Sequence, residues 1–336
     1  MTTGSLRQAD PVLPVSRGPL SAAVLAGLRG AASRMPSVDH IDPYDDDLHL
    51  ALYCCYELHY RGFAGVDDGC EWDPALLAVR AELERAFLRG LRRDIVPGTD
   101  VAAEVDALLV EPVDAAGVSH HLRRDGELWQ LREYVAHRSI YHLKEADPQS
   151  FVIARLEGPA KAALVSVEHD EYGAGDPDRM HSRLFANMMI ELGLSDDYGA
   201  YLDAIPAAAL ADVNFMSLCG LHRGLRGALV GQFATVELTS SPASERLVKA
   251  MRRLGCTPTA IRFYDEHVEA DAVHEQLIRR GVLTPLLAAE PQLAADIVFG
   301  IRASTLLASR LEDLLLDRWR NGKTSLRQPL PPSAGR

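Results

Sequence analysis

Residues 263–276, FYDEHVEADAVHEQ, hold two histidines and five acidic residues in fourteen positions. In a helix, His267, Asp271 and His274 lie within about 60° of one another on one face. Imidazole nitrogens and carboxylate oxygens on one helix face can bind a transition-metal ion. A charged, solvent-exposed helix with incidental histidines would show the same pattern, so a metal site requires further ligands elsewhere in the chain.

A further candidate ligand lies in the segment LCGLHRGLRGALVGQFATVELTSS. Glu237 follows about ten mostly small or apolar residues, which predicts that its carboxylate is buried. Burial of an unpaired carboxylate carries a large free-energy penalty. Either a metal ion or a salt bridge from a neighbouring helix would remove that penalty, and the sequence leaves both interpretations open.

Two more candidates flank a glycine-rich turn in the segment VEHDEYGAGDPDRMHSRLF. Glu171 is predicted at the end of one helix and His181 at the start of the next. Such a turn allows two helices to present ligands to the same volume. Glu168, His169 and Asp170 are competing candidates, and periodicity alone does not rank Glu168 below Glu171.

The segment QLREYVAHRSIYHLKEADPQ contributes Glu145, just before a predicted break at Asp147 and Pro148. The same helix carries His142, and also Glu133 and His137, which are one turn apart and could form an ordinary side-chain contact.

The assembled candidates comprise four carboxylates and three imidazoles: Glu145, Glu171, His181, Glu237, His267, Asp271 and His274. A structural zinc ion needs only four ligands and no open position. Mixed nitrogen and oxygen ligands that leave exchangeable positions instead suit two iron ions that react with O2. The set therefore indicates a non-haem diiron site, for which a helical bundle is a usual scaffold.

Helical periodicity dominates the sequence and strand-like alternation is scarce, so we predict an all-α fold. Asp73 and Ser241 are predicted N-caps, because each is followed by a proline, Pro74 or Pro242, at the first helical position. The predicted helices lie at about 19–35, 45–61, 74–94, 127–147, 148–172, 180–193, 208–239, 243–254, 259–280 and 290–320.

A domain boundary is predicted in IVPGTDVAAEVDALLVEPVDAAGVSHHLRRDG, which has weak helical register. We predict an N-terminal helical region at 1–110, a helical bundle with the site at 125–322, and a flexible tail at 323–336. In the N-terminal segment CCYELHYRGF, Glu57 and His59 are two positions apart and point to different sides of a helix. This segment is therefore predicted to make an interhelical or dimer contact and not to bind metal.

The composition excludes several classes of protein. The 336 residues are 47% hydrophobic, which is enough for a substantial core, and the formal charge of −12 argues against nucleic acid or anionic membrane as a partner. The N-terminus lacks the apolar core of a signal peptide, and no later run could span a bilayer, so a cytoplasmic protein is expected. Five cysteines without CxxC spacing predict neither disulfides nor a zinc finger.

The order Glu, Glu with a His ten residues later, Glu, and then His-x3-Asp-x2-His resembles the haem-oxygenase-like diiron oxidases and oxygenases, a family of iron-containing redox enzymes. RSIYHLKEADPQSF, GLHRGLRGAL and FYDEHVEADAVHEQ carry the resemblance over about residues 125–320, and LALYCCYELHYRGFAGVDD resembles the N-terminal helices of actinobacterial members. The resemblance implies a haem-oxygenase-like bundle with an additional N-terminal helical region. It also assigns all seven candidates to two irons, with Glu171 preferred to Glu168.

The resemblance further implies the reaction. Two Fe(II) ions would bind O2 to give a peroxo-diferric intermediate, which would oxidise a small amino-acid-like substrate in secondary metabolism. An external electron donor is also expected as a partner. Cleavage of an aliphatic C–H bond, leading to desaturation, cyclisation or fragmentation, is favoured over N-oxygenation, because the chain ends without the cupin found in some nitrogen-oxygenating relatives. A homodimer is expected.

Substrate contacts are predicted from residue type. Arg223 and Arg226, one turn apart on the predicted Glu237 helix, could bind a substrate carboxylate, although salt bridges to neighbouring acids are the commoner arrangement. His222 is predicted to be a core histidine. The aromatic residues Phe185, Phe263 and Tyr264 are assigned to the packed bundle.

Two alternatives come from other functional classes. A haem-binding or haem-degrading protein on the same fold would use one axial histidine and leave four carboxylates buried without a partner. A non-catalytic helical protein would bind divalent cations on acidic helices, and its Fe(II) form would not react rapidly with O2.

Overall fold

A computed structural model describes residues 10–31 and 35–330, which contain helices and no strands. The all-α prediction is confirmed for this part of the chain. The helices are α1 (Pro19–Leu28), α2 (Asp46–Glu57), α3 (Pro74–Asp94), α4 (Val101–Leu109), α5 (Val118–Arg124), α6 (Leu128–His142), α7 (Asp147–Ser150), α8 (Gly158–Glu171), α9 (His181–Glu191), α10 (Ala207–Leu221), α11 (Arg226–Arg253), α12 (Pro258–Gln276), α13 (Thr284–Ala289) and α14 (Ala294–Arg320).

Helix α11 is the centre of the bundle and packs against α14, α12 and α5. The close approach of α11 and α14 depends on glycines: a Cβ at Gly231 would collide with the Ile297 carbonyl, and one at Gly300 with the Ala228 carbonyl. Helix α12 packs in turn against α9, and the π-helical segment that follows it, Leu277–Leu283, packs against α8. The five segments that carry the candidate ligands therefore surround one volume.

The predicted helix start at Ser241 is wrong, because α11 runs unbroken through Pro242. Proline removes one backbone hydrogen bond, but packing along both neighbouring helices stabilises the continuous helix. Ser241 does not cap a helix and donates a hydrogen bond to the Val268 carbonyl, 3.2 Å away. The prediction at Asp73 is confirmed, since its carboxylate accepts hydrogen bonds from the backbone N–H groups of Ala75 and Leu76.

Other helix boundaries differ from the prediction. The expected helix at 208–239 is interrupted at 222–225, and the expected helix at 148–172 is divided into α7 and α8. Helices α4 and α5 form in the stretch for which weak helical register predicted a boundary, and both pack against α11. The first helix ends at Leu28 and not near residue 35, and residues 32–34 lie outside the described part of the chain.

Helix α2 is a core element, because every residue from Asp47 to Glu57 is buried. It packs between α1 and α10. Of the two contacts predicted for this helix, the structure shows the interhelical one. The homodimer and the division into regions at 1–110 and 125–322 stay predictions.

The end of the chain packs partly against the bundle. Ser325 and Leu326 are buried, and the Ser325 backbone N–H donates to Glu133 Oε2 at 2.8 Å. The flexible tail at 323–336 stays a prediction, and residues 331–336 lie outside the described part. Glu133 also accepts from the Trp319 indole at 2.9 Å, which gives it a structural role.

In the described residues, no single helix is long and apolar enough to span a membrane. Residues 258–289 and 291–320 pass the length and composition test only as a pair, and that pair bends by 112°.

Candidate metal centre

The structure brings all seven predicted residues together in two overlapping groups, and every one of them is buried. Within each group, one potential ligand atom per residue lies within 4.8 Å of the others. Glu171 belongs to both groups. The first group is Glu145, Glu171, His181 and His267, and the second is Glu171, Glu237, Asp271 and His274.

A sharp turn places Glu171 beside His181. Glu171 is the last residue of α8 and His181 the first of α9. Gly173 between them has φ +72°, and a Cβ there would lie 2.6 Å from the backbone nitrogen of Met180, so a side chain would block the turn. The turn leaves His181 Nδ1 only 2.7 Å from Glu171 Oε2.

The three candidate ligands on α12 share one face, as the helical period predicts. His267, Asp271 and His274 are buried, whereas Asp265 and Glu269 on the same helix are exposed. His267 Nδ1 lies 2.7 Å from the Phe263 carbonyl, which can only accept a hydrogen bond. Nδ1 therefore carries the proton, and the lone pair of Nε2 is available to a metal ion.

Glu145 lies in the loop after α6, where imidazoles approach it. His142 Nδ1 is 2.8 Å from Glu145 Oε1, and His267 Nε2 is 3.9 Å from the same atom. Burial raises the pKa of Glu145, but the neighbouring imidazoles of His142, His267 and His181 outweigh it and lower that pKa. The other oxygen, Oε2, is buried without a hydrogen-bond partner among the described residues.

In the second group, the imidazole of His274 lies among carboxylates. Its Nδ1 is 3.0 Å from Glu237 Oε2, 3.5 Å from Asp271 Oδ1 and 3.6 Å from Glu171 Oε1. Burial opposes protonation, but hydrogen bonds to Asp271 and Glu237 raise the pKa of His274 to about 11. Burial raises the pKa of Glu237 to about 8. Both directions follow from carboxylates that are buried side by side, because a bound proton or a metal cation relieves their mutual repulsion.

The donor set fits metal ions better than hydrogen bonding alone. Although His181 Nδ1 and Glu171 Oε2 are 2.7 Å apart, the buried nitrogen has no partner with hydrogen-bond geometry. Two atoms this close and misaligned are arranged as ligands of one ion are. Together with the unpartnered Glu145 Oε2, they give the first group nitrogen and oxygen donors that face a common point.

Glu168 is the competing acid, and it lies outside both groups. Its carboxylate is buried, and neither oxygen has a hydrogen-bond partner among the described residues. Burial, with the nearby carboxylates of Glu171 and Glu237, raises the pKa of Glu168 to about 9. The geometry thus favours Glu171 over Glu168, as the family resemblance implied.

A cavity of about 190 Å³ adjoins the first group at Glu145 and His267. Its polar lining includes Arg138 and Asp212, which the sequence analysis did not select. Arg138 precedes Glu145 by seven residues, two helical turns, and this spacing was the available signal. Phe263 and Tyr264, which were assigned to the packed bundle, also line the cavity, while Phe185 is fully buried against Phe263.

The arginines predicted to bind substrate lie elsewhere. Arg223 is exposed in the turn before α11, and Arg226 pairs with Glu290. Arg226 is about 16 Å along the helix axis from Glu237, and neither arginine lines this cavity. His222 is not a core histidine, because its side chain is 42% exposed and Nε2 lies 2.9 Å from Glu84 Oε2.

Comparison with known proteins agrees with this geometry. A family model described as iron-containing redox enzyme matches residues 132–309, more than half of the chain. A nitrosourea synthase from Streptomyces achromogenes subsp. streptozoticus is 26% identical over 238 residues, which cover 68% of this chain. The chain spans about half the length of that relative, 50%. With its helical fold and buried carboxylate and histidine groups, the chain belongs to the haem-oxygenase-like family of iron-containing redox enzymes.

Proposed function

We propose that the protein is an O2-dependent oxidoreductase that holds two iron ions and oxidises a small amino-acid-like substrate. The observation that carries the proposal is the pair of buried groups that share Glu171. One group would hold each iron, and Glu171, which belongs to both groups, would serve as a ligand in both. Bound iron would supply the capacity to reduce O2 and to oxidise a substrate held nearby.

The surrounding residues would orient the ligands and exclude water. The Phe263 carbonyl holds the proton on His267 Nδ1, and His142 holds the position of Glu145. The rings of His142, Phe185 and Phe263 pack at centroid distances of 4.8–5.0 Å beside these ligands. These packed rings would limit access of water to the oxidant on their side of the site.

Oxidation of an aliphatic carbon is the first candidate reaction. Val236, Leu247 and Phe263 line the cavity beside the first group, and such a lining suits an aliphatic chain. Desaturation removes two hydrogen atoms, with two electrons, from the substrate. Because reduction of O2 to two water molecules takes four electrons, an external donor would supply the other two electrons, with two protons from solvent.

Oxygenation of a nitrogen atom is the second candidate reaction. It is supported by the name of the relative, a nitrosourea synthase, which refers to a product with bonded nitrogen and oxygen atoms. Both reactions would use the same seven ligands. They would differ in which substrate atom lies beside the first group.

Anaerobic loading with Fe(II), followed by rapid mixing with O2, tests the proposal. We expect about two irons per chain and a transient visible absorption band whose decay one amino acid accelerates. Replacement of Glu171 or His274 with Ala should remove at least one iron and the band, while circular dichroism stays helical. Glu168→Ala, which alters a buried acid outside both groups, is the matched control and should retain two irons.

Two outcomes would refute the proposal. Wild-type protein that binds no iron, or that binds iron and does not react with O2 under any condition, would favour the non-catalytic alternative. A Soret band formed with haem, together with iron-free carboxylates, would favour the haem-binding alternative.

A further inference from the structure

The cavity beside the first group has the size of a small metabolite. Its volume of about 190 Å³ is below the roughly 300–1,000 Å³ typical of pockets for drug-sized ligands. Its lining includes the candidate ligands Glu145 and His267 as well as polar residues of α6 and α10. A molecule that fills it would therefore contact both the metal centre and these polar residues.

The polar part of the lining is an opposite-charge pair. Arg138 Nη1 donates to Asp212 Oδ2 at 3.3 Å, and the side chains are 21% and 8% exposed. The contact is long and single, whereas a guanidinium optimised for a carboxylate partner makes two parallel hydrogen bonds. Within the described residues, Nη2 of Arg138 makes no hydrogen bond, so part of the donor fork is available to a ligand.

The charge pair lies close to the metal centre. Arg138 Nε is 3.4 Å from His142 Nε2, and His142 Nδ1 is 2.8 Å from Glu145 Oε1. A single imidazole ring thus separates the guanidinium from a residue of the first group. A ligand held at Arg138 would place an atom a few bonds away beside Glu145.

We propose that this cavity binds a small zwitterionic α-amino acid, with its carboxylate on Arg138, its ammonium on Asp212 and its side chain toward Glu145 and His267. The inference rests on the proposed function and specifies its substrate class. Adjacent positive and negative groups complement a zwitterion, because each charge of the ligand meets its opposite. The oxidised atom would accordingly belong to the side chain and not to the α-carbon.

The hydroxyl of Tyr264 offers a third polar contact. It lines the cavity and is buried without a hydrogen-bond partner among the described residues. A buried hydroxyl without a partner costs free energy, and a ligand carboxylate could accept a hydrogen bond from it. The cavity therefore has an unused donor in addition to the charged pair.

Binding can be measured anaerobically on Fe(II)-loaded protein by calorimetry, so that no turnover is needed. The probes are L-norleucine, hexanoate, which lacks the ammonium group, and pentylamine, which lacks the carboxylate. We expect L-norleucine to bind at least tenfold more tightly than either of the other two. Equal affinities, or no binding of any probe at millimolar concentration, would overturn the proposal.

Variants assign the two contacts. Arg138→Gln should weaken the binding of L-norleucine at least tenfold and leave the affinity for pentylamine unchanged. Asp212→Asn should weaken the binding of L-norleucine and leave the affinity for hexanoate unchanged. Arg138→Lys retains the positive charge but not the planar set of guanidinium N–H donors, so its loss of L-norleucine affinity should be intermediate. It replaces Arg138→Gln if that variant does not fold. Arg124→Gln, on the exposed surface, is the matched control and should bind as wild type.

Two readouts separate this inference from the proposed function. Iron stoichiometry and the reaction with O2 in the absence of substrate, both measured on wild type, test the proposed function independently of ligand binding. Normal iron chemistry in wild type, together with unchanged L-norleucine binding in Arg138→Gln, would overturn only the cavity assignment. A tenfold loss in Arg223→Gln but none in Arg138→Gln would move the carboxylate site to the turn before α11.

Discussion

At the scale of single residues, buried histidines have opposite roles inside and outside the candidate centre. His274 lies among carboxylates that raise its pKa to about 11, whereas burial lowers the pKa of His49 on α2 to about 4. His49 Nε2 donates to the Pro43 carbonyl at 2.9 Å, and Nδ1 accepts from the Asn214 amide at 3.2 Å. Both ring nitrogens are thus satisfied in the neutral form, and a second proton would break the contact with Asn214.

Because His49 is buried in its neutral form, we predict that the fold loses stability in acid. Its pKa rises from about 4 in the folded chain to the ordinary value of 6.5 on unfolding. The neutral imidazole therefore contributes fully to the free energy of unfolding above pH 6.5. As the pH falls toward 4, this free energy decreases by up to about 3 kcal/mol.

Urea unfolding of metal-free protein at pH 7.5 and pH 5 measures this effect. Between these pH values, the free energy of unfolding of wild type should fall by about 2 kcal/mol more than that of His49→Gln. The difference arises below pH 6.5, where each pH unit changes the free energy by about 1.4 kcal/mol per proton. His40→Gln changes an exposed histidine and should behave as wild type. Equal losses in wild type and His49→Gln would contradict the assignment of a neutral buried imidazole.

At the scale of elements, the contact between α11 and α14 holds Glu237 against α12. Gly300 faces the Ala228 backbone so closely that any side chain would force the two helices apart. We expect Gly300→Ala to lower the free energy of unfolding by about 1–3 kcal/mol, the usual cost of overpacking a core.

Gly224→Ala is the control, because nothing lies within 4 Å of a Cβ at that position. This variant should change the free energy of unfolding by about 0.5 kcal/mol or less. Chemical denaturation of the metal-free proteins provides the comparison. A Gly300→Ala protein as stable as Gly224→Ala would show that the helices can separate at little cost.

At the scale of the whole molecule, a buried ion pair connects the N-terminal helices to the loop of the candidate centre. Lys144, next to Glu145 in sequence, donates to Glu57 Oε2 on α2 at 2.9 Å, and the two side chains are 1% and 0% exposed. Tyr198 donates to the same oxygen at 2.9 Å. Helix α2 is therefore tied to the segment that carries Glu145.

Breaking this pair should destabilise the fold strongly. Lys144→Met removes the ammonium partner of the buried Glu57 carboxylate, which should lower the free energy of unfolding in denaturant by about 3–5 kcal/mol. The double variant Glu57→Leu with Lys144→Met should recover most of that loss, because neither charge of the pair is then buried. Lys249→Met breaks an exposed pair with Glu245 and should cost about 1 kcal/mol or less. A double variant no more stable than Lys144→Met would contradict this explanation.

The sequence by itself determined the features that one helix or one turn controls. The 3.6-residue period places His267, Asp271 and His274 on one face of α12, and Asp73 caps α3 because its carboxylate reaches its own helix. The residue types of the seven candidate ligands also favoured a metal centre with nitrogen and oxygen donors. These inferences needed no knowledge of how one helix lies against another.

Only the tertiary structure decided what depends on packing between elements. Arg138 and Asp212 lie 74 positions apart in sequence and meet at the cavity. Arg226 instead pairs with Glu290 and does not line the cavity. Packing on both sides likewise carries α11 through Pro242, against the preference of the local sequence. Helical phase sets the direction of a side chain within its own helix, but the placement of that helix follows from side chains distributed over the whole chain.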